Sequence, residues 1–445
     1  MIVTSNAEQT SGSADPGKPW YASARYASWF AADTAGAVGV SLRTLALSLI
    51  GYAVSGSLTR AGWLATASLL AQQGMGVVGG TYVDRHDRKR LIIVNAFVGF
   101  LAWGSIAMLG LYGMLRFTNL LVIAVLASAV NGLLGSAADA MLRSIIDIRD
   151  YPWARSVNEG RDAVVNMAGG PVGGFLYAVR PWLPFLVSSV AHMVSGVAAC
   201  RIRESHTAGE VTGDGADAGA DEGAEAGCMV VGSGRTASFM GDFVSGWRWM
   251  LRRATVMRIV MAASLANFGI NGVQYAIQLS LDSRGVNAAN IGLINAGICA
   301  SMLLGSLLAN RIGGSVPVGR SMCVAFAFIC AVVVPMTLGD GYALILISNS
   351  LVGLPFPLIN ALLLGFVFAK APERMQGRIA SSLTAPAQAL SAFCGACAGG
   401  LITAVGFRVA VVFFLAMLVV GALIVLLSPS IRAIPRAAAW SEVAL

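Results

Sequence analysis

"GGTYVDRHDRKRL", residues 79–91, decides how the rest of the chain reads. Every residue from Asp84 to Arg90 is charged or a histidine. A long apolar run ends just before this cluster, and another begins just after it. Yet charged residues make up only 12% of the 445 residues, about half the share usual in soluble globular proteins. A cluster this dense between two such runs reads as a turn held in water between two membrane crossings.

Further apolar runs lie outward from that turn. They fall at roughly 28–52, 61–82, 91–113, 119–142, 162–180 and 182–201, and again at roughly 256–278, 289–310, 319–338, 342–369, 379–404 and 407–428. Hydrophobic residues make up 56% of the chain, and the mean hydropathy is +0.73. A helix needs about 20 residues to cross a bilayer, and it satisfies every backbone N–H and C=O internally. The short alternating segments of a β-barrel are not seen. The expected class is an all-α polytopic membrane protein with twelve transmembrane helices. Six lie in residues 28–203 and six in 256–428, joined by a linker at 204–255 and flanked by tails at 1–27 and 429–445.

Lys and Arg set the orientation. With the N-terminus inside, the outer connections hold Arg60, Arg116, Arg180, Arg284 and Arg408, and none at 339–341. Arg43 lies within the first span, and the remaining Lys and Arg fall on the side of both termini. Both termini are therefore expected in the cytoplasm of a cell whose inner membrane holds the chain. The net charge of +8 is a topology signal, and no nucleic-acid partner is expected. The first 26 residues show neither the basic nor the apolar region of a cleavable signal. In the linker, residues 207–228 have six acids, six glycines and no Lys or Arg. Such a segment cannot bury a core and is expected to be a disordered tether. In "DFVSGWRWMLRRATVMR", 242–258, Phe243, Trp247, Met250 and Leu251 share one helical face with arginines between them. This predicts an interfacial helix before span 7.

Charged groups inside spans are costly and functional by default. Asp33 and Arg43 lie in span 1, ten residues or roughly 15 Å apart, too far to pair directly. Asp139 lies near the cytoplasmic end of span 4, beside Arg143. Asp33 and Asp139 are the candidate proton carriers, with Asp33 preferred. In span 7, Asn267, Asn271, Gln274 and Gln278 are spaced 4, 3 and 4, which puts four amides on one face. With Arg43, Gln72 and Asn131 they are the candidate cavity residues. Asn295, Asn349, Asn360 and Gln388 are weaker single amides, and Pro355 and Pro357 interrupt span 10. "CGAC", 394–397, has redox or metal spacing, but its Ala, Gly and Leu surroundings fit a helix contact better. "GVVGG", 76–80, lacks the Lys and hydroxyl of a phosphate loop. No metal spacing and no nucleophile elbow are visible, so neither an enzyme nor a cofactor is expected.

"GGTYVDR", Gly79–Arg85, is echoed by "GSLLANR", Gly305–Arg311, with Asp84 matching Asn310. Internal similarity between two six-helix halves is a transporter pattern. The residues Gly80-x-x-x-Asp84-Arg85-x-x-Arg88-Lys89 resemble the loop between helices 2 and 3 of the major facilitator superfamily, with Asp87 where that family usually has Gly. "GGPVGG", 169–174, resembles the Gly-Pro motif of the superfamily's exporters at Gly170, Pro171 and Gly174, with Phe175 in place of a closing Gly. The Asp-Arg-x-Asp-Arg-Lys-Arg loop is most similar to the macrolide-efflux and enterobactin-exporter branch. The resemblance implies two six-helix bundles around a central cavity and alternating access. It also implies a latch in which Asp84 meets the start of helix 11, near Gln376–Arg378, when the cytoplasmic side is shut. Close packing of helix 2 is expected at Gly79 and Gly80. A proton-coupled exporter of amphipathic small molecules (drugs, macrolides or siderophores), acting as a monomer, is the expected function. A metabolite importer, marked by a strongly charged cavity, and a non-transporting sensor or assembly protein, marked by a cavity sealed with apolar side chains, are the alternatives.

Overall fold

The computed structural model describes residues 21, 23–147, 150–202, 248, 251, 253–312, 316–360, 362 and 386–436. The acidic tether at 207–228, nearly all of the interfacial helix at 242–258, and Gln376–Arg378 lie outside the described residues. In the first half the helices are α1 (Ala24–Ser55), α2 (Leu58–Arg85), α3 (Arg88–Leu111), α4 (Phe117–Leu134), α5 (Ser136–Ile145), α6 (Tyr151–Val179) and α7 (Leu183–Cys200). The second half holds α8 (Ala254–Ser283), α9 (Ala288–Ile312), α10 (Val318–Val333), α11 (Pro335–Leu338), α12 (Tyr342–Val352), α13 (Cys394–Val405), α14 (Phe407–Leu427) and α15 (Pro429–Arg432). α4 with α5 forms one span, and α10 with α11 another. Helical structure also surrounds α12 and α13, so that Tyr342–Asn360 and Pro386–Val405 each act as one span.

Ten of these segments are long and apolar enough to cross a membrane by length and composition alone. α2 and α6, 28 and 29 residues long, complete twelve. They are less apolar for visible reasons. α2 carries Gln72, Gln73 and several glycines, and the first half of α6 carries Arg155, Glu159, Arg161 and Asp162. The expected start of span 5 at 162 is therefore too late. The helix begins at Tyr151, with Pro152 in its first turn, where a missing N–H costs no intrahelical bond.

The chain forms two six-helix bundles. In the first, α2 packs on α4, α3 on α7, and α1 on both α6 and α7. In the second, α8 packs on α13 and α14, and α9 on α12. Glycine allows the closest approaches. A side chain at Gly79 would strike the Gly132 and Leu133 carbonyls of α4, whereas Gly80 faces open space. The expectation of close packing thus holds for Gly79 and is corrected for Gly80, because one helical step of 100° turns Gly80 away from α4. Ile431 and Ile434 are buried against the start of α10, so the expected C-terminal tail is packed at least to residue 434. The halves meet along two seams. Gly62 of α2 lies against Gly395 of α13, and Gly170 and Gly174 of α6 lie against α9 at Gly292, Asn295 and Ala288. Both seams lie toward the end that carries residues 56–57, 180–182, 284–287 and 406. One buried apolar cluster crosses between the halves, with Leu45, Leu49 and Ala61 from the first and Val273, Ile277 and Leu281 from the second.

Candidate functional site

Two polar cavities follow from this arrangement. The first, about 250 Å³, lies within the first bundle. Asp33 of α1 and Arg161 of α6 meet there, with Asp33 Oδ2 2.6 Å from Arg161 Nη2. Arg161 also donates to Asp162 at 2.8 Å and to Thr34 Oγ1 at 3.1 Å, and its guanidinium stands 5.3 Å from the centre of the Phe30 ring. Only 10% of the Arg161 side chain is exposed, against 26% for Asp33, so this pair is more sheltered than a surface salt bridge. Asp139, in the first turn of α5, bonds Arg155 at 2.8 Å and is well exposed. Its partner is Arg155 rather than Arg143, whose Nε donates to Tyr151 Oη at 3.4 Å instead.

The second cavity, about 390 Å³, lies between the halves. Asn271, Gln274 and Gln278 of α8 line it, with Asn166 of α6, Asn295 of α9, and Tyr275, Cys299, Met302 and Phe356. Three of the four amides of the predicted stripe therefore face it. Asn267 does not. It is exposed one turn away, and its Nδ2 donates to the Ala263 carbonyl at 3.1 Å. Gln72 lines neither cavity. Asn131 lines the first cavity and accepts from Asn95 Nδ2 at 3.4 Å. Arg43 is also corrected as a cavity residue. It is 8% exposed, lies 4.1 Å from the centre of the Trp103 ring, and donates to Ser188 Oγ at 3.4 Å. Its position on α1 turns it toward α3 and α7, into the bundle interior. Asn349 is buried, while Asn360 and Gln388 are exposed.

The opening turn has a definite build. Asp87 is the N-cap of α3, and its carboxylate accepts from the Lys89 and Arg90 backbone N–H groups. An Asp before a helix start suits the orphan amides of the first turn and the positive end of the helix dipole. Arg90 pairs with Asp87 at 3.2 Å, and Arg88 donates to the Ala140 carbonyl of α5 at 3.0 Å. Asp84 and Arg85 are exposed, and Asp84 has no ion pair among the described residues. Gly170, Pro171 and Gly174 sit in the α6–α9 seam, and α6 continues through Pro171 as a helix. Cys394 and Cys397 are free thiols on either side of the Gly395 contact with α2.

Arg155 and Arg161 were missed in the sequence because hydropathy places them just before span 5, and Asn166, a single amide inside that run, was passed over. The signal that could have found the two arginines is the i, i+4 pair Arg155–Glu159 continuing into the apolar run. Among the described residues, no cluster of His, Cys, Asp and Glu is arranged to hold a metal ion.

The family profile described as Major Facilitator Superfamily matches residues 34–396. No curated protein matches the chain. Among solved structures, the chain is similar to a bacterial homologue of the iron transporter ferroportin in an inward-facing state (TM-score 0.67, 10% identity, covering 92% of this chain and 98% of that one). It is also similar to the nucleoside transporter NupG (TM-score 0.64, 12% identity, 91% and 98%). A third is a bacterial homologue of the human lysosomal transporter Spinster, inward-facing and unoccupied (TM-score 0.63, 14% identity, 94% and 99%). At these identities the likeness speaks for the fold.

Proposed function

The chain belongs to the major facilitator superfamily, and on that premise we propose that it is a proton-coupled exporter of small amphipathic molecules in the inner membrane of a cell. It is a multi-pass membrane transporter rather than an enzyme. The observation that carries the proposal is the cavity between the halves, lined by Asn166 from one bundle and Gln274 and Asn295 from the other. A site shared by two rigid bodies is what alternating access requires. With the orientation that Lys and Arg favour, the two glycine seams lie on the outer side, so this state faces the cytoplasm. A cavity without charge among its described lining, yet rich in amides, fits neither of the alternatives as they were framed. Export, and likeness to the macrolide-efflux and enterobactin branch, rest on the Gly-Pro motif and the charged loop.

Coupling is assigned to Asp33. A proton on Asp33 breaks its attraction to Arg161, and the guanidinium then keeps Asp162 and Thr34. The pair can therefore open without leaving a bare buried cation, which would be costly. Efflux from cells should collapse when an uncoupler removes the proton gradient. Asp33→Asn should reach the membrane and lose coupled transport. Full transport by Asp33→Asn removes Asp33 from the mechanism, and efflux that persists without any ion gradient overturns the proposal.

A further inference from the structure

The described lining of the central cavity is polar but uncharged. Its amides come from three helices, and those of Asn166, Gln274 and Asn295 have no hydrogen-bond partner among the described residues. Asn271 is committed, its Nδ2 donating to the Asn267 carbonyl at 2.8 Å. Gln278 accepts only a long bond of 3.5 Å from Ser48. Each open amide offers a carbonyl oxygen and an NH₂ group, so the set favours neither sign of charge. No Asp, Glu, Lys, Arg or His is among the described residues of the lining. Asp33, Arg161 and Asp162 line the other cavity, and the half-buried Asp282, one turn beyond Gln278 on α8, stands outside the central lining. An ion in the central cavity would meet no counter-charge among the described residues of the lining, and an uncompensated ion costs far more to desolvate than a hydrogen-bonded neutral group. Tyr275, Phe356 and Met302 add an aromatic and a thioether wall, suited to a flat or apolar face. The volume of about 390 Å³ lies near the lower end of the roughly 300–1,000 Å³ of small-molecule sites.

We infer that the central cavity takes an uncharged small molecule with several hydrogen-bonding groups and one flat or apolar face, and excludes cations and anions of the same size. This rests on the transporter reading and narrows it. Bulky macrolides and anionic siderophores fall outside the class. A molecule bonded to Asn166 on one side and to Gln274 and Asn295 on the other ties the two halves together, which gives the ligand different contacts in the two states, as transport requires.

Cys299 lines the same cavity and supplies a readout that does not depend on transport. Full-length protein with Cys299 as its only cysteine, in lipid nanodiscs, is labelled with N-ethylmaleimide in the presence of chloramphenicol, uridine, ethidium or salicylate. The uncharged pair should slow labelling, while ethidium and salicylate should not. Gln274→Leu and Asn295→Leu should each weaken protection by about tenfold, the equivalent of one well-made hydrogen bond. Gln274→Glu keeps the shape and should admit ethidium, which holds the test open if a leucine variant folds poorly. Protection by ethidium or salicylate equal to that of the uncharged probes overturns the inference, as does protection by neither uncharged probe. Efflux of the same four compounds from cells separates the two readings. Protection without efflux keeps the site and removes the exporter, whereas efflux of ethidium at the chloramphenicol rate keeps the exporter and removes the charge filter.

Discussion

Arg161 holds two carboxylates, a hydroxyl and an aromatic face at once. Removing it leaves Asp33 charged in a sheltered cavity. Arg161→Ala should therefore cost about 1–3 kcal/mol of stability, the range for a buried polar group left without its partner. The double variant Asp33→Asn with Arg161→Gln should recover much of that loss, because the sheltered charge at Asp33 is gone and Asp162, 46% exposed, can be solvated. Thermal unfolding of the purified protein is the measurement, and equal losses in the single and double variants would show that the two side chains are not coupled. Asp87 is a smaller case. As the N-cap of α3 it should contribute about 0.5–2 kcal/mol, lost in Asp87→Ala. Asp33 was legible as a costly charge inside an apolar run. Its partner was not, because Arg161 is 128 residues away and its own segment looks like a loop to any hydropathy window.

At the scale of helices, glycine decides which contacts can form and part. A side chain at Gly62 would strike the backbone of Gly395, and neither helix backbone can yield cheaply. Gly62→Val should drive α2 from α13 at the seam and favour the state in which that end is open. Spin labels at residues 56 and 404 should report the separation. An unchanged distance distribution in a folded variant counts against the seam as a gate. Gly80→Ala should leave this state intact, because open space surrounds Gly80. The stripe on α8 shows the same limit of periodicity. The 4-3-4 spacing places the four amides on one face, but the cavity is shorter than the stripe, and Asn267 runs past its end.

For the whole molecule, we propose that the opening cluster favours one of two states. Asp84 is exposed here, in a conformation whose halves close at the opposite end. A latch between Asp84 and the start of span 11 would form only when the cytoplasmic end shuts. A helix terminus favours an anion by about 0.3–1 kcal/mol, or ~2 when partly buried, and about 1.4 kcal/mol shifts a two-state balance tenfold. Asp84→Asn should slow turnover and raise the inward-facing population with little change in expression. Asn310→Ala, at the matching place in the second half, should matter much less. Distances between labels at residues 82 and 378 are the check. Normal transport with an unchanged distribution would reduce the cluster to an anchor on the cytoplasmic side.

Sequence alone determined the membrane class, the count of twelve, the division into halves and the place of the charged turn. These properties follow from local hydropathy and from the positions of Lys and Arg, and neighbouring residues carry them. Tertiary structure decided which polar residues share a space. It joined Asp33 to Arg161, sent Arg43 under Trp103, split the amides between two cavities, and left the central one without charge among its described lining. Such pairings depend on how each helix is rotated and tilted against its neighbours. That rotation is set where glycines such as Gly79, Gly170 and Gly395 let backbones touch, at distances along the chain that no local pattern spans.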